Sequence, residues 1–376
     1  FRVTKLMTTI KKIAILLYRY FPYGGLQKDF LEIAKEFQSR EIQFKVFTRR
    51  WEGPIPEGFI VKEIGEKGLT NFAKNKNFVK ASYKELEEYR PDFVFGFNKM
   101  PDLDLYFAAD TCFKKEALKK NSLMKFTRRF KQSIEYEAKV FNRSSSTEVF
   151  LLNNKQADDF KASYRLNSDQ MIIVPPGIDL NWNDHSPIEV RDIFNIPLED
   201  KVALFVGSDF SRKGLDRAIS TIHCLNTNNI PFSLLVIGKD DFGPYSELAY
   251  KLALNEKVKF LGPRDDIASI MKSADLLLHP AREEAAGNVI IESLVSHLPV
   301  VTCKDVGFAE EVKKHKAGFV LEEEFDQDKF DNLVLEICEN KGLEKYKQDM
   351  LGLEKQEYFF SRFKFIADIV EEKINA

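Results

Sequence analysis

Asp275–Val301, DLLLHPAREEAAGNVIIESLVSHLPVV, reads as strand, loop, helix and strand, and its reading decides the fold. The chemistry of this stretch lies in the loop. Gly287 opens the helix without a side chain, so the backbone N–H groups of about Ala286 to Val289 can approach an anion with the helix dipole behind them. Glu284 stands in the loop and Glu292 on the helix's second turn, eight residues on, and two carboxylates can accept hydrogen bonds from sugar hydroxyls beside a bound diphosphate. Taken alone, Glu292 reads equally well as one more solvated helix residue and Glu284 as one of an acidic pair with Glu283.

The same rhythm runs outward in both directions. Short β-branched and aromatic runs alternate with helical stretches twice over, which predicts two parallel α/β sheets in tandem. In the first half the predicted strands are residues 12–20, 43–48, 59–64, 92–97, 104–108, 148–152 and 171–174; in the second they are 201–206, 232–237, 258–261, 275–278, 300–303 and 318–321. Between the first two, Leu26, Phe30, Ile33, Ala34 and Phe37 recur at helical spacing, the mark of a crossover helix. The turn-rich stretch 175–187 carries no periodicity and is read as a linker. The expected organisation is a Rossmann-like unit over 1–176 with a basic insertion at 113–143, a second over 188–352, and a C-terminal helical segment over 353–376 that packs back on the first. That last expectation rests on its load of Tyr358, Phe359, Phe360, Phe363, Phe365, Ile366 and Ile369.

A chain of 376 residues exceeds the roughly 250 to 300 at which one hydrophobic core stops growing, in keeping with two units. A net charge of −2 creates no global field to recruit nucleic acid. Four dispersed cysteines, Cys112, Cys224, Cys303 and Cys338, suggest neither a zinc site nor a disulfide scaffold and suit a reducing cytoplasm. The apolar run Ile13–Leu17 is too short for a signal or a membrane span. The sequence starts at Phe1, so Met7 is taken as a candidate initiator and residues 1–6 are given no weight.

Two further segments sharpen the chemistry. In LFVGSDFSRKG, Leu204–Gly214, a buried strand ends in Gly207 and Ser208 and then presents Arg212 and Lys213, a bidentate fork and a compact cation suited to a pyrophosphate. The spacing fails the phosphate-loop pattern of ATPases, since Gly214 follows the lysine and no Ser or Thr adjoins it. In YFPYGGLQKD, Tyr20–Asp29, Gly24 and Gly25 allow close backbone approach but lack the third glycine of a nicotinamide-dinucleotide fingerprint. Thr48, Arg49 and Arg50 stand where an acidic ribose reader would follow the second strand, which further disfavours an oxidoreductase. Asp102-Leu103-Asp104 imitates a metal-binding DxD and is read as accidental, so no metal or other cofactor is expected.

Four motifs, GGLQKDF at Gly24–Phe30, GFNKMPDLDLYFAAD at Gly96–Asp110, GSDFSRKG at Gly207–Gly214 and EAAGNVIIE at Glu284–Glu292, together resemble the lipopolysaccharide core glucosyltransferase I family. That family is a branch of the retaining GT-B glycosyltransferases, whose two Rossmann-like domains face across a cleft. The resemblance runs from about Lys12 to the end of the second unit. It implies transfer of glucose from UDP-glucose to a heptose of the lipopolysaccharide inner core through an α-1,3 bond, without metal, on the inner face of the cytoplasmic membrane. By the same analogy Arg212 and Lys213 bind the diphosphate, Glu292 the ribose, and Glu284 with the amides of Ala285, Ala286, Gly287, Asn288 and Val289 orients the sugar. Arg264 lies beside the uracil, Ser208 and the pair Gly24 and Gly25 also sit on the donor side, and Asp29 and Asp110 face the acceptor. Asp110, Glu284 and Lys213 are the catalytic candidates. Rival readings are a related transferase with another nucleotide-sugar or lipid acceptor, and a non-catalytic sugar-binding protein, which would be expected to have lost some of these residues.

Residues 113–143 hold ten basic side chains against three acidic, with Lys119, Lys120, Lys125, Arg128, Arg129 and Lys131 at their centre. Leu123, Phe126, Phe130, Ile134, Ala138 and Phe141 recur three and four apart, so the segment reads as one or two basic amphipathic helices with an anionic membrane surface as partner. The plainer reading is an apolar stripe facing the unit's own core beneath solvated lysines.

Overall fold

The protein's structure, a computed structural model, describes residues 11–22, 24–118, 125, 127–339 and 342–375. The chain forms two units, one from Phe1–Pro175 with Ser361–Ala376 and the other from Pro176–Phe360.

In the first unit the strands are β1 (Lys12–Tyr20), β2 (Gln43–Trp51), β3 (Val61–Glu63), β4 (Phe93–Gly96), β5 (Leu105–Ala108), β6 (Glu148–Leu151) and β7 (Met171–Ile173). All neighbours pair in parallel, in the order β3-β2-β1-β4-β5-β6-β7. Parallel pairing follows from the crossovers, most of which hold helices that cover the sheet faces and bury runs such as Ile13–Leu17. The core is rich in phenylalanine: Phe95 and Phe97 lie 4.7 Å apart, and Phe141 stacks on Phe160 at 3.7 Å. The crossover helix Gly25–Ser39 buries Phe30, Ile33, Ala34 and Phe37. Helix Arg362–Asn375 packs against it, and Arg40 at the crossover helix's end binds Asp368 at 2.6 Å and Glu371 at 3.1 Å.

The second unit contains β8 (Lys201–Val206), β9 (Phe232–Ile237), β10 (Val258–Gly262), β11 (Leu276–His279), β12 (Val300–Cys303) and β13 (Gly318–Leu321), parallel throughout in the order β10-β9-β8-β11-β12-β13. Every strand expected from the sequence is present in both units, with ends shifted by three residues at most. Each order reverses direction once, between β1 and β4 in one sheet and between β8 and β11 in the other. Open α/β sheets of this kind bind ligands just beyond the carboxyl ends of the strands at that reversal.

The basic segment forms helices Phe113–Leu118 and Arg128–Phe141, the second N-capped by Thr127, whose hydroxyl accepts from Phe130 N–H at 3.2 Å. Lys119, Lys120, Leu123 and Phe126 lie outside the described residues. Val140 and Phe141 are buried, so the C-terminal part of the apolar stripe faces the unit's own core, while Arg128, Arg129 and Lys131 are exposed. No helix among the described residues is long and apolar enough to cross a membrane.

Candidate functional site

The loops leaving β8 and β11 meet at the reversal point of the second sheet. The first, Gly207–Gly214, contains a single helical turn over Phe210–Lys213 closed by Gly214. The second runs from Pro280 to Gly287 and feeds helix Asn288–Val295. Arg282 N–H donates to Arg212 C=O at 2.8 Å, and the Arg282 guanidinium donates to Ser211 C=O at 2.6 Å and to both carboxylate oxygens of Asp216.

Glu284 is where the two loops join electrostatically. Its Oε2 lies 2.7 Å from Lys213 Nζ and 3.2 Å from Arg212 Nη1, and both Lys213 and Glu284 are nearly buried, with side chains 13% and 14% exposed. Arg212 also binds Asp209 through Nε at 3.0 Å and donates to Glu283 C=O at 3.1 Å. Burial pushes the Glu284 carboxyl up, but the positive charges of Lys213 and then Arg212 override it, and the net displacement is downward, so the group is an anion at neutral pH.

Two glycines make the arrangement possible. Gly207 has φ +146°, and a Cβ there would lie 2.4 Å from Lys213 Cδ, so a side chain would occupy the path of the lysine stem. Gly287, the N-cap of helix Asn288–Val295, has φ +79°; a Cβ there would come within 2.6 Å of Val306 Cγ1, and Glu284 Cγ is 3.5 Å away. Lys213 and the start of that helix thus both lie against Glu284. Glu292 is on the same helix and half-buried. The loop is further pinned by Gly307 N–H donating to Glu284 C=O at 3.0 Å and Phe308 N–H donating to Ala286 C=O at 2.8 Å.

His279 was not singled out by the sequence reading, being the last residue of the strand DLLLH. It is fully buried at the carboxyl end of β11, and neither ring nitrogen has a hydrogen-bond partner. Burial, then the positive charges of Lys213 and Arg212, push its pKa down to about 3 against the opposing pull of Glu284, so the ring is neutral at physiological pH. A polar residue closing an otherwise apolar strand at a reversal point is the signal that could have drawn attention to it.

The remaining candidates are placed differently. Ser208 Oγ accepts from Lys239 N–H at 3.3 Å. Arg264 lies beyond β10, separated from β8 by β9, in a bidentate pair with Asp266 at 2.7 Å and over the ring of Phe194. In the first unit Gly24 caps helix Gly25–Ser39 beyond the end of β1, and Asp110 is exposed beyond the end of β5. Asp29 departs from expectation: instead of facing an acceptor it is buried, with Arg362 Nη1 3.0 Å from its Oδ1. Arg362 is itself wholly buried and also donates to Pro175 C=O, so the returning C-terminal helix covers Asp29. The DxD carboxylates serve local bonds, Asp102 accepting from Tyr83 and Asp104 from Val94 N–H.

Two parallel-sheet Rossmann-like units, with two cations and a helix start drawn together at a strand reversal, define a GT-B glycosyltransferase. The family model for glycosyl transferases group 1 matches residues 188–350. The chain is 37% identical to the lipopolysaccharide glucosyltransferase WaaG of Escherichia coli K12 over 330 residues, 86% of this chain and 88% of that one. A crystal structure of WaaG superimposes with a TM-score of 0.88 at 34% identity, covering 95% of this chain and 99% of that one. The Anabaena protein Alr3699/HepE, solved with UDP and glucose, shares the fold at a TM-score of 0.71 and 18% identity, covering 97% and 99% of the two chains. The chain belongs to the lipopolysaccharide core glucosyltransferase family.

Proposed function

We propose that this glycosyltransferase moves glucose from UDP-glucose to the first heptose of the lipopolysaccharide inner core, with retention of configuration, through an α-1,3 bond and without a metal. The single observation that carries the reading is the convergence of Lys213, Arg212 and the start of helix Asn288–Val295 on Glu284 at the β8/β11 reversal. The identity to the Escherichia coli enzyme extends it to glucose and to lipopolysaccharide.

Lys213 and Arg212 then offset the charge that builds on the departing diphosphate, and the amides of Ala285–Val289 share that charge from the helix start. Glu284 holds both cations in place before the donor arrives and orients the sugar afterwards. Glu292 binds the ribose, Arg264 stands beside the uracil, and Ser208, Gly24 and Gly25 complete the donor side. Asp110 is the acceptor-side residue; buried Asp29 is not assigned there. No carboxylate is assigned as a nucleophile: attack comes from the face that the leaving phosphate vacates, the phosphate accepts the acceptor's proton, and catalysis rests on positioning and charge stabilisation.

The exposed Arg128, Arg129 and Lys131, with Lys125 and the neighbouring lysines of the segment, dock the enzyme reversibly on the anionic inner face of the cytoplasmic membrane, each contributing about 1 kcal/mol near the surface. The test is incubation with a panel of UDP- and GDP-sugars and truncated lipopolysaccharide, read by mass spectrometry. Glucose should be added from UDP-glucose to cores ending in heptose, and Glu292→Ala should nearly abolish transfer; a different preferred donor, or an active Glu292→Ala, overturns the reading.

A further inference from the structure

Glu137 is wholly buried in the first unit, within the segment 113–143 that was read for its basic charge. Its carboxylate gathers donors from the segment Cys112–Lys114 and from Lys99 and Tyr164. Oε2 accepts from Phe113 N–H at 2.8 Å and from Lys99 Nζ at 2.5 Å. Oε1 accepts from Lys114 N–H at 2.8 Å and from Tyr164 OH at 2.8 Å, with Cys112 Sγ 3.7 Å away. Lys99 makes a second bond, to Thr111 C=O at 3.0 Å. Each residue from Thr111 to Lys114 is therefore touched by Glu137 or by its counterion. On the other side of Asp110, Gln156 Nε2 donates to Ala108 C=O at 2.7 Å and to Asp110 C=O at 2.8 Å. Asp110 thus presents an exposed side chain from a backbone gripped on both flanks.

A buried carboxylate is a costly way to hold a loop. Replacing buried ion pairs by apolar side chains is often neutral or stabilising, and the core around Glu137 is otherwise mostly apolar and rich in phenylalanine. What a charged clamp adds is a single conformation, because two backbone N–H groups at the start of helix Phe113–Leu118, a hydroxyl and an ammonium are satisfied together only when the segment lies in one place.

We propose that Glu137 is a positioning residue for glycosyl transfer, fixing Thr111–Lys114 and so the placement of Asp110. The proposal rests on the reading of Asp110 as the acceptor-side residue. Glu137→Gln keeps the shape but removes the charge and turns an N–H₂ toward donors. Acceptor turnover in E137Q should fall about 10- to 100-fold, the scale of a misplaced reacting group, while UDP affinity by calorimetry stays within about twofold. Glu137→Asp should recover part of the loss. Because both changes act through one loop, E137Q/D110N should transfer no more slowly than D110N alone, within about twofold. Lys99→Met, which leaves the carboxylate on the two N–H groups but releases Thr111, provides a milder variant should E137Q fail to fold, with a smaller loss of turnover and the same non-additivity. Wild-type turnover in folded E137Q or K99M beside an impaired D110N, or losses that multiply with D110N, overturns the positioning role. Wild-type turnover in D110N itself sinks the acceptor-side reading and this proposal with it, a distinct pattern.

Discussion

Replacing Lys213 by methionine removes the ammonium 2.7 Å from Glu284 while keeping most of the stem's volume. Breaking a buried pair costs roughly 3–5 kcal/mol when the remaining charge is left with nothing. Glu284 keeps Arg212 at 3.2 Å, so the expected cost is lower, about 2 kcal/mol, or a fall in Tm of about 4–8 °C for a unit of this size. The sign of the pH dependence follows from the carboxyl's displacement. In the wild type Glu284 is held below its ordinary range, so it contributes stability above the unfolded value of about 4.3 that is lost as pH falls through the lower folded value. In K213M burial is less opposed and the carboxyl moves up. The deficit of K213M should therefore be full at pH 8 and shrink as the medium is acidified toward pH 5 and below, because protonation relieves the variant first. Transfer should fall about 10²- to 10³-fold, the usual effect of deleting one group that stabilises developing charge. Thermal melts across pH and steady-state turnover measure both. A deficit independent of pH, with turnover reduced less than about tenfold, would refute the assignment of charge to this lysine.

Arg362→Met should destabilise the first unit by roughly 3–5 kcal/mol, since it leaves Asp29 buried without its partner, and Asp29→Asn in the same chain should restore part of the loss in thermal melts. Gly287→Ala combines a left-handed backbone with a 2.6 Å approach to Val306; it should cost about 1–3 kcal/mol and weaken UDP binding measured by calorimetry. Cosedimentation with anionic liposomes should decline as salt is raised and be lost in the triple variant R128E/R129E/K131E, whereas salt-insensitive binding would place the contact elsewhere.

Most strands were legible because they are short apolar runs between turn formers, and a parallel sheet buried on both faces leaves little room for any other pattern. Gly207, Lys213, Glu284 and Gly287 were legible as residue types at strand ends. The pairing of Glu284 with residues 71 and 72 positions earlier was not, because only the sheet order brings the β8 and β11 loops together. Asp29 was placed on the acceptor side by the resemblance alone, and nothing local announced that Arg362 would return to cover it. Glu137 sat in a run read for its basic charge, and its value as a clamp appears only once Lys99, Tyr164 and the Asp110 loop are assembled around it.

Nucleotide binding to the intact chain, comparing UDP with UMP by calorimetry in the wild type, K213M and R212M, addresses the donor site most directly. Recognition of the diphosphate by Lys213 and Arg212 requires UDP to bind at least about tenfold more tightly than UMP in the wild type, a gap of about 1.4 kcal/mol, and requires most of that preference to vanish in K213M. Equal affinities in the wild type, or a preference that survives in K213M, would contradict it.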